Sequence, residues 1–135
     1  MFKNSNDYIS KLHLIISVLI VVPVAIIYGF SPDYYFELFP KTNDEHNFFK
    51  AIMGLYLGFS ILWVLGIFKR EYLKPALITN MIFMLSLGLG RVISILIDGL
   101  PTSGYVFGTV AELFLGLYGL WVLKRLNTLT QKKKL

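Results

Sequence analysis

Residues 80–112 read NMIFMLSLGLGRVISILIDGLPTSGYVFGTVAE, two apolar runs parted by the turn Asp98-Gly99-Leu100-Pro101-Thr102-Ser103-Gly104. The first run carries Arg91 and the second carries Glu112. Arg91 precedes Asp98 by seven residues, and Glu112 follows Gly104 by eight. At ~1.5 Å rise per residue, both lie roughly 10–12 Å from the turn. Two antiparallel helices joined here hold an arginine and a glutamate at the same depth. Facing lipid, either charge would cost at least ~2.5–3.5 kcal/mol, so both are expected to face protein.

The rest of the chain has the same character. Its 135 residues are enough for one domain. Composition is 56% apolar and mean hydropathy is +0.65, with most charges at the ends of long apolar runs. That pattern belongs to an integral membrane protein. The runs predict four spans, at about 12–30, 48–68, 76–97 and 105–123, with a basic, partly disordered tail over 124–135. The expected fold is an all-α bundle of four transmembrane helices in a single domain.

Residues between the spans refine this. Pro23 is expected to kink the first helix. Pro23-Val24-Ala25 is a poor small-x-small cleavage site, so the first run is expected to remain as an uncleaved helix. His13, at its inner end, reads as interfacial. Ser31 as N-cap, Pro32 at the first helical position and Asp33 predict a short helix stopped by Pro40. Its aromatic residues suit the membrane surface, either as an interfacial belt or as a lid over a site. Asp44-Glu45-His46 reads as a solvated loop, because adjacent helical residues do not converge on one metal.

Charge sets the expected topology. Lys3, Lys11, the 69–75 loop (with Pro75 opening the third helix) and the C-terminal tail hold most of the Lys and Arg. The 31–47 and 98–104 loops hold mainly Asp and Glu. Both termini are therefore expected in the cytoplasm, with the protein in the inner (plasma) membrane. A net charge of +5 placed this way fits anionic lipid and gives no reason to expect nucleic acid. The chain has no cysteine, so disulfide and thiolate chemistry are excluded.

Helical angles sharpen the candidate site. Asn80, Met84 and Asp98 fall within ~20° of Arg91, with Gly88 and Ser94 within ~60°. Tyr105 and Gly119 fall within ~20° of Glu112, and Gly108 and Gly116 about 40° away. Lys50, near the outer end of the second span, either snorkels to headgroups or turns towards these acids. Gly54 and Gly58 form a small-xxx-small pair that lets membrane helices approach closely.

Three elements carry a family resemblance. They are Ala51-Ile52-Met53-Gly54-Leu55-Tyr56, then Gly90-Arg91 with Asp98-Gly99 and Pro101, and Glu112-Leu113 with Leu115-Gly116. Together they resemble a family of small bacterial four-helix membrane proteins, domain-of-unknown-function family 4345, over residues 10–124. More loosely, the chain is similar to the wider DoxX-like group. The resemblance implies a four-helix bundle and no activity. Some of the wider group are tied to redox pathways, but no cysteine or haem-ligand pattern carries that over.

Three uses of Arg91, Asp98 and Glu112 fit the sequence. The first is a buried ion pair that locks the third and fourth helices in register. In the second, Arg91 holds the anionic or carbonyl head of a lipophilic molecule such as a quinone, fatty acid or isoprenoid. Tyr56 or Tyr105 then donates a hydrogen bond, and Asp98 and Glu112 orient Arg91 or handle a proton. The third is a helper subunit that packs on a membrane partner, or on a second copy, through Gly54 and Gly58. Catalytic triads, phosphate-cradling loops and metal-ligand spacings are absent, no cofactor is called for, and the reading leans away from an enzyme.

Overall fold

The computed structural model describes residues 5–132. Its helices are α1 (Ser5–Phe30), α2 (Pro32–Phe36), α3 (Asn43–Phe68), α4 (Arg70–Asp98) and α5 (Ser103–Lys132). The described residues form no strand. The four long helices have 26, 26, 29 and 30 residues, or roughly 39–45 Å at ~1.5 Å per residue. That exceeds the ~30 Å hydrocarbon layer of a bilayer. All four are apolar enough to cross it, so the chain is an all-α, multi-pass membrane protein.

Short links force neighbouring helices to run antiparallel. Only Lys69 separates α3 from α4, and residues 99–102 separate α4 from α5. α1 packs mainly on α3, α3 on α4 and α4 on α5, and a lighter contact between α1 and α5 closes the ring. On α1 the buried positions include Ser10, Leu14, Ser17, Val21, Ala25 and Tyr28. On α4 they include Leu73, Leu77, Asn80, Met84 and Gly88. Steps of three and four residues keep each stripe on one helical face, as in other bundles. One end of the bundle carries α2 and the α4–α5 turn. The other carries the start of α1, the α3–α4 turn and the end of α5.

Several helix ends differ from the sequence expectation. The Asp44-Glu45-His46 stretch is the first turn of α3, not a loop. Thr42 Oγ1 accepts the Glu45 N–H at 3.2 Å, and the Glu45 carboxylate accepts the Thr42 N–H at 2.9 Å. This capping box satisfies two otherwise orphaned donors. The three residues are exposed, and the described residues contain no group able to hold a metal.

Residues 70–75 are helical too, with Pro75 inside α4. Proline removes one hydrogen bond near a helix end, where Leu73, Ala76 and Leu77 are buried against the bundle. α2 stops at Phe36, four residues before Pro40. There Glu37 adopts a left-handed φ of 54°, and its N–H donates to the Pro32 carbonyl. At the other terminus α5 continues unbroken to Lys132. Lys3, Lys133 and Lys134, used in the topology argument, lie outside the described residues.

Glycines separate the two faces of the bundle. A Cβ on Gly88 would fall 2.7 Å from the Leu113 side chain, and one on Gly116 would fall 2.5 Å from that of Leu85. Gly88 and Gly116 therefore each receive a leucine from the other helix. Gly54 and Gly58 have nothing within 4 Å of such a Cβ, so the small-residue face of α3 is unused within the bundle. Gly116→Val is expected to destabilise the protein by ~1–3 kcal/mol through overpacking. Gly58→Ala should be neutral or stabilising by up to ~1 kcal/mol. Thermal unfolding of both variants in detergent checks this contrast.

Candidate functional site

The site is built where α4 and α5 approach closely enough for their charges to meet. Arg91 Nε donates to Glu112 Oε2 at 2.8 Å. Arg91 Nη2 donates to the Tyr28 hydroxyl at 3.2 Å, which brings α1 into the same network. The guanidinium carbon stands 5.0 Å from the centre of the Tyr105 ring, a favourable cation–π placement. The Arg91 and Glu112 side chains keep 20% and 14% of their surface. They are largely withdrawn from solvent but remain reachable.

An aromatic roof covers this end. Phe36 of α2 stacks on Tyr28, with ring centres 4.6 Å apart, and tilts against Tyr105 at 4.8 Å. Phe36 is only 5% exposed, whereas Tyr34 and Tyr35 on the same short helix are exposed. Phe36 turns inward as a cover over the tyrosines, while Tyr34 and Tyr35 keep most of their surface.

The other sequence-selected residues divide sharply. Tyr56 is buried and meets Tyr28 edge to face at 5.8 Å. Asp98 is exposed and accepts the Ser94 hydroxyl at 2.9 Å on its own helix. It stands about 10 Å further along α4 than Arg91, whose Nε is committed to α5. Lys50 is also exposed, its ammonium 5.8 Å from the Phe30 ring centre on the side of the bundle. Arg91, Glu112, Tyr56 and Tyr105 are brought together; Asp98 and Lys50 are not.

A cavity of about 210 Å³ lies beside the ion pair. Arg91, Glu112, Tyr56 and Met84 contribute to its wall, and Tyr35 and Phe36 roof it. Ile20 on α1 and Phe107 on α5 also line it, and both are exposed on their helices. The cavity therefore opens sideways where α1 and α5 touch most lightly. A second cleft, about 260 Å³, shares Arg91 with the first and lies towards the α4–α5 turn, with Leu38, Ser94, Pro101, Tyr105 and Thr109.

A family profile, described as Domain of unknown function (DUF4345), matches residues 9–123. The chain belongs to the DUF4345 family. No curated protein and no solved structure matches it.

The DUF4345 bundle also buries polar groups away from the ion pair. His13 is fully buried rather than interfacial, because α1 is already helical and packed two turns before the apolar run begins. Its Nε2–H donates to the Leu115 carbonyl at 2.9 Å, since a carbonyl can only accept. Ser17 donates to the His13 carbonyl at 3.0 Å and approaches Asn80 Oδ1 at 3.3 Å. His13 and Ser17 lie at helical spacing with Val21 and Tyr28, so the α1 stripe was the signal that would have found them and Tyr28.

Chemically, the DUF4345 site offers a paired guanidinium and carboxylate, tyrosine hydroxyls and an apolar side opening. Removing one charge leaves the other unpaired. Glu112→Leu is expected to cost ~3–5 kcal/mol. The double variant Arg91→Met/Glu112→Leu should recover most of that loss, measured as a double-mutant cycle of unfolding in mixed micelles.

Proposed function

We propose that this DUF4345 protein holds the polar head of a lipophilic molecule against Arg91 and does so without catalysing a reaction. The observation that carries this reading is the cavity beside a half-withdrawn ion pair whose hydrogen-bonding capacity is not used up. Glu112 occupies Arg91 Nε and Tyr28 occupies Nη2. Glu112, Tyr28 and the neighbouring Tyr56 hydroxyl engage only part of the five N–H groups of Arg91, and Glu112 meets Arg91 through Oε2. A donor and an acceptor therefore remain at the edge of an apolar cavity, a combination suited to a small polar head on an apolar body. Tyr56 and Tyr105 are the neighbouring hydroxyls that would complete its hydrogen bonds. Asp98 and Lys50, bound elsewhere, would take no part.

The same reading places the protein in the inner, plasma membrane of a bacterial cell. Lys69, Arg70, Lys74, Lys124 and Arg125 lie at the bundle end opposite α2. Both termini would then be cytoplasmic, with α2 and the site at the outer face. A second reading rests on Gly54 and Gly58, which are exposed and meet nothing in the bundle. That face would suit another membrane helix, from a second copy or a larger partner.

Arg91→Gln/Glu112→Gln tests the first reading, because it replaces the ion pair with neutral hydrogen-bonding groups of similar shape. The double variant is expected to fold. It should lose at least ~tenfold in affinity for the lipophile, the equivalent of ~1.4 kcal/mol. Native mass spectrometry should show a bound lipophile on the unaltered protein and little on the variant. Equal occupancy of the two would sink the reading.

A further inference from the structure

Resting on that binding reading, we propose that the occupant has an uncharged hydroxyl or carbonyl head, that it reaches Arg91 sideways from the bilayer between α1 and α5, and that its head meets water through the second cleft.

The charge of the head follows from the pair already present. Arg91 and Glu112 neutralise one another. An anionic head would leave a net negative charge beneath Phe36, among Tyr28 and Tyr105, in a poorly solvated space. An uncharged hydroxyl avoids this. Its oxygen accepts a guanidinium N–H of Arg91 left over by Glu112, Tyr28 and Tyr56 while its hydrogen goes to the Glu112 carboxylate, using both kinds of position. A carbonyl uses the first of them.

The route follows from what is closed. Phe36 shuts the cavity towards α2, and Tyr35 sits against the first turn of α5, 3.1 Å from where a Gly104 Cβ would stand. On the side, Gly108 has nothing within 4 Å of such a Cβ, so a slot runs along α5 opposite Ile20 and Val24. Residues 104–115 make this slot about 16 Å long. At about 210 Å³, the cavity is smaller than the roughly 300–1,000 Å³ of pockets that enclose whole small molecules. It takes the head and first carbons, and the remaining chain lies in the bilayer.

The far side of Arg91 is different. The second cleft reaches from Arg91 past Tyr105 and Thr109 to Ser94 and Pro101, which are exposed beside the α4–α5 turn. Arg91 is a wall of both spaces. A head bound there has lipid on one side and an opening to the bundle end on the other.

The probes are a long-chain alcohol carrying a diazirine and the carboxylic acid of the same chain, with the protein in phosphatidylcholine vesicles. The alcohol is expected to crosslink within residues 20–24 and 104–115. Gly108→Leu fills the slot without touching the ion pair, and Ile20→Trp narrows it from the opposite wall. Each should lower the yield at least ~fivefold. Because the native chain has no cysteine, Thr109→Cys gives a single thiol at a position only 5% exposed. A small water-soluble methanethiosulfonate should modify it, and the alcohol should slow that reaction at least ~threefold. Labelling by the acid as strong as by the alcohol overturns the proposal, as do unchanged yields in both folded slot variants or an unreactive Thr109→Cys. The binding reading survives those three results. Failure of both probes to crosslink near Arg91 would overturn it as well.

Discussion

A charge inside a bilayer must find its counter-charge within the protein, and the Arg91–Glu112 contact is where this chain meets that constraint. Its consequences spread outward. Contact at 2.8 Å requires α4 and α5 to lie in one register and close together. The reciprocal seating of Leu113 against Gly88 and Leu85 against Gly116 provides that closeness. The remaining guanidinium donors then draw in Tyr28 from α1, and the face of Tyr105 completes the surround. Phe36 packs on these two tyrosines, so the short α2 helix is positioned by the same cluster.

The two ends of the bundle solve the packing problem differently. Towards the termini, large side chains fill the centre. Trp63, Leu14 and Leu77 are fully buried, and Phe83 meets the Trp63 ring at 5.2 Å. Towards α2, the glycines of α5 and the light contact between α1 and α5 leave space. The boundary is about one helical turn thick. Val21 and Met84 line the floor of the cavity. One turn inward on the same faces are Ser17 and Asn80, whose side-chain oxygens stand 3.3 Å apart. Leu115 belongs to both sides: its side chain lines the cavity and its carbonyl accepts from His13. The cavity is therefore confined to one half, beside the Arg91–Glu112 ion pair.

Much of the fold was legible in the sequence. Four apolar runs, each long enough to span, leave few alternatives to a bundle, and the count from the turn to Arg91 and Glu112 fixed their common depth. Helix ends were less legible. Thr42 and Glu45 carry a capping box at the expected spacing, yet the polar cluster around them reads as loop. Pro75 looks like a helix start, yet α4 begins at Arg70, and Leu73, Ala76 and Leu77 around the proline are buried. Asp98 shares a helical face with Arg91, yet a face has meaning only where another helix covers it, and the last turn of α4 is uncovered.

By itself, then, the sequence determined what is local or one-dimensional: the membrane class, the number of long helices, their alternating direction, and the depth of the two charges. These follow from hydropathy, link length and a constant rise per residue. Only the tertiary structure decided which residues meet across helices. Tyr28 is 63 positions from Arg91, and His13 is 102 from Leu115. Nothing in their own segments marks them as partners, because their contacts depend on helix rotation and on which pairs pack tightly. The looseness between α1 and α5 is a property of the whole ring, and it is what turns a buried ion pair into the wall of a cavity.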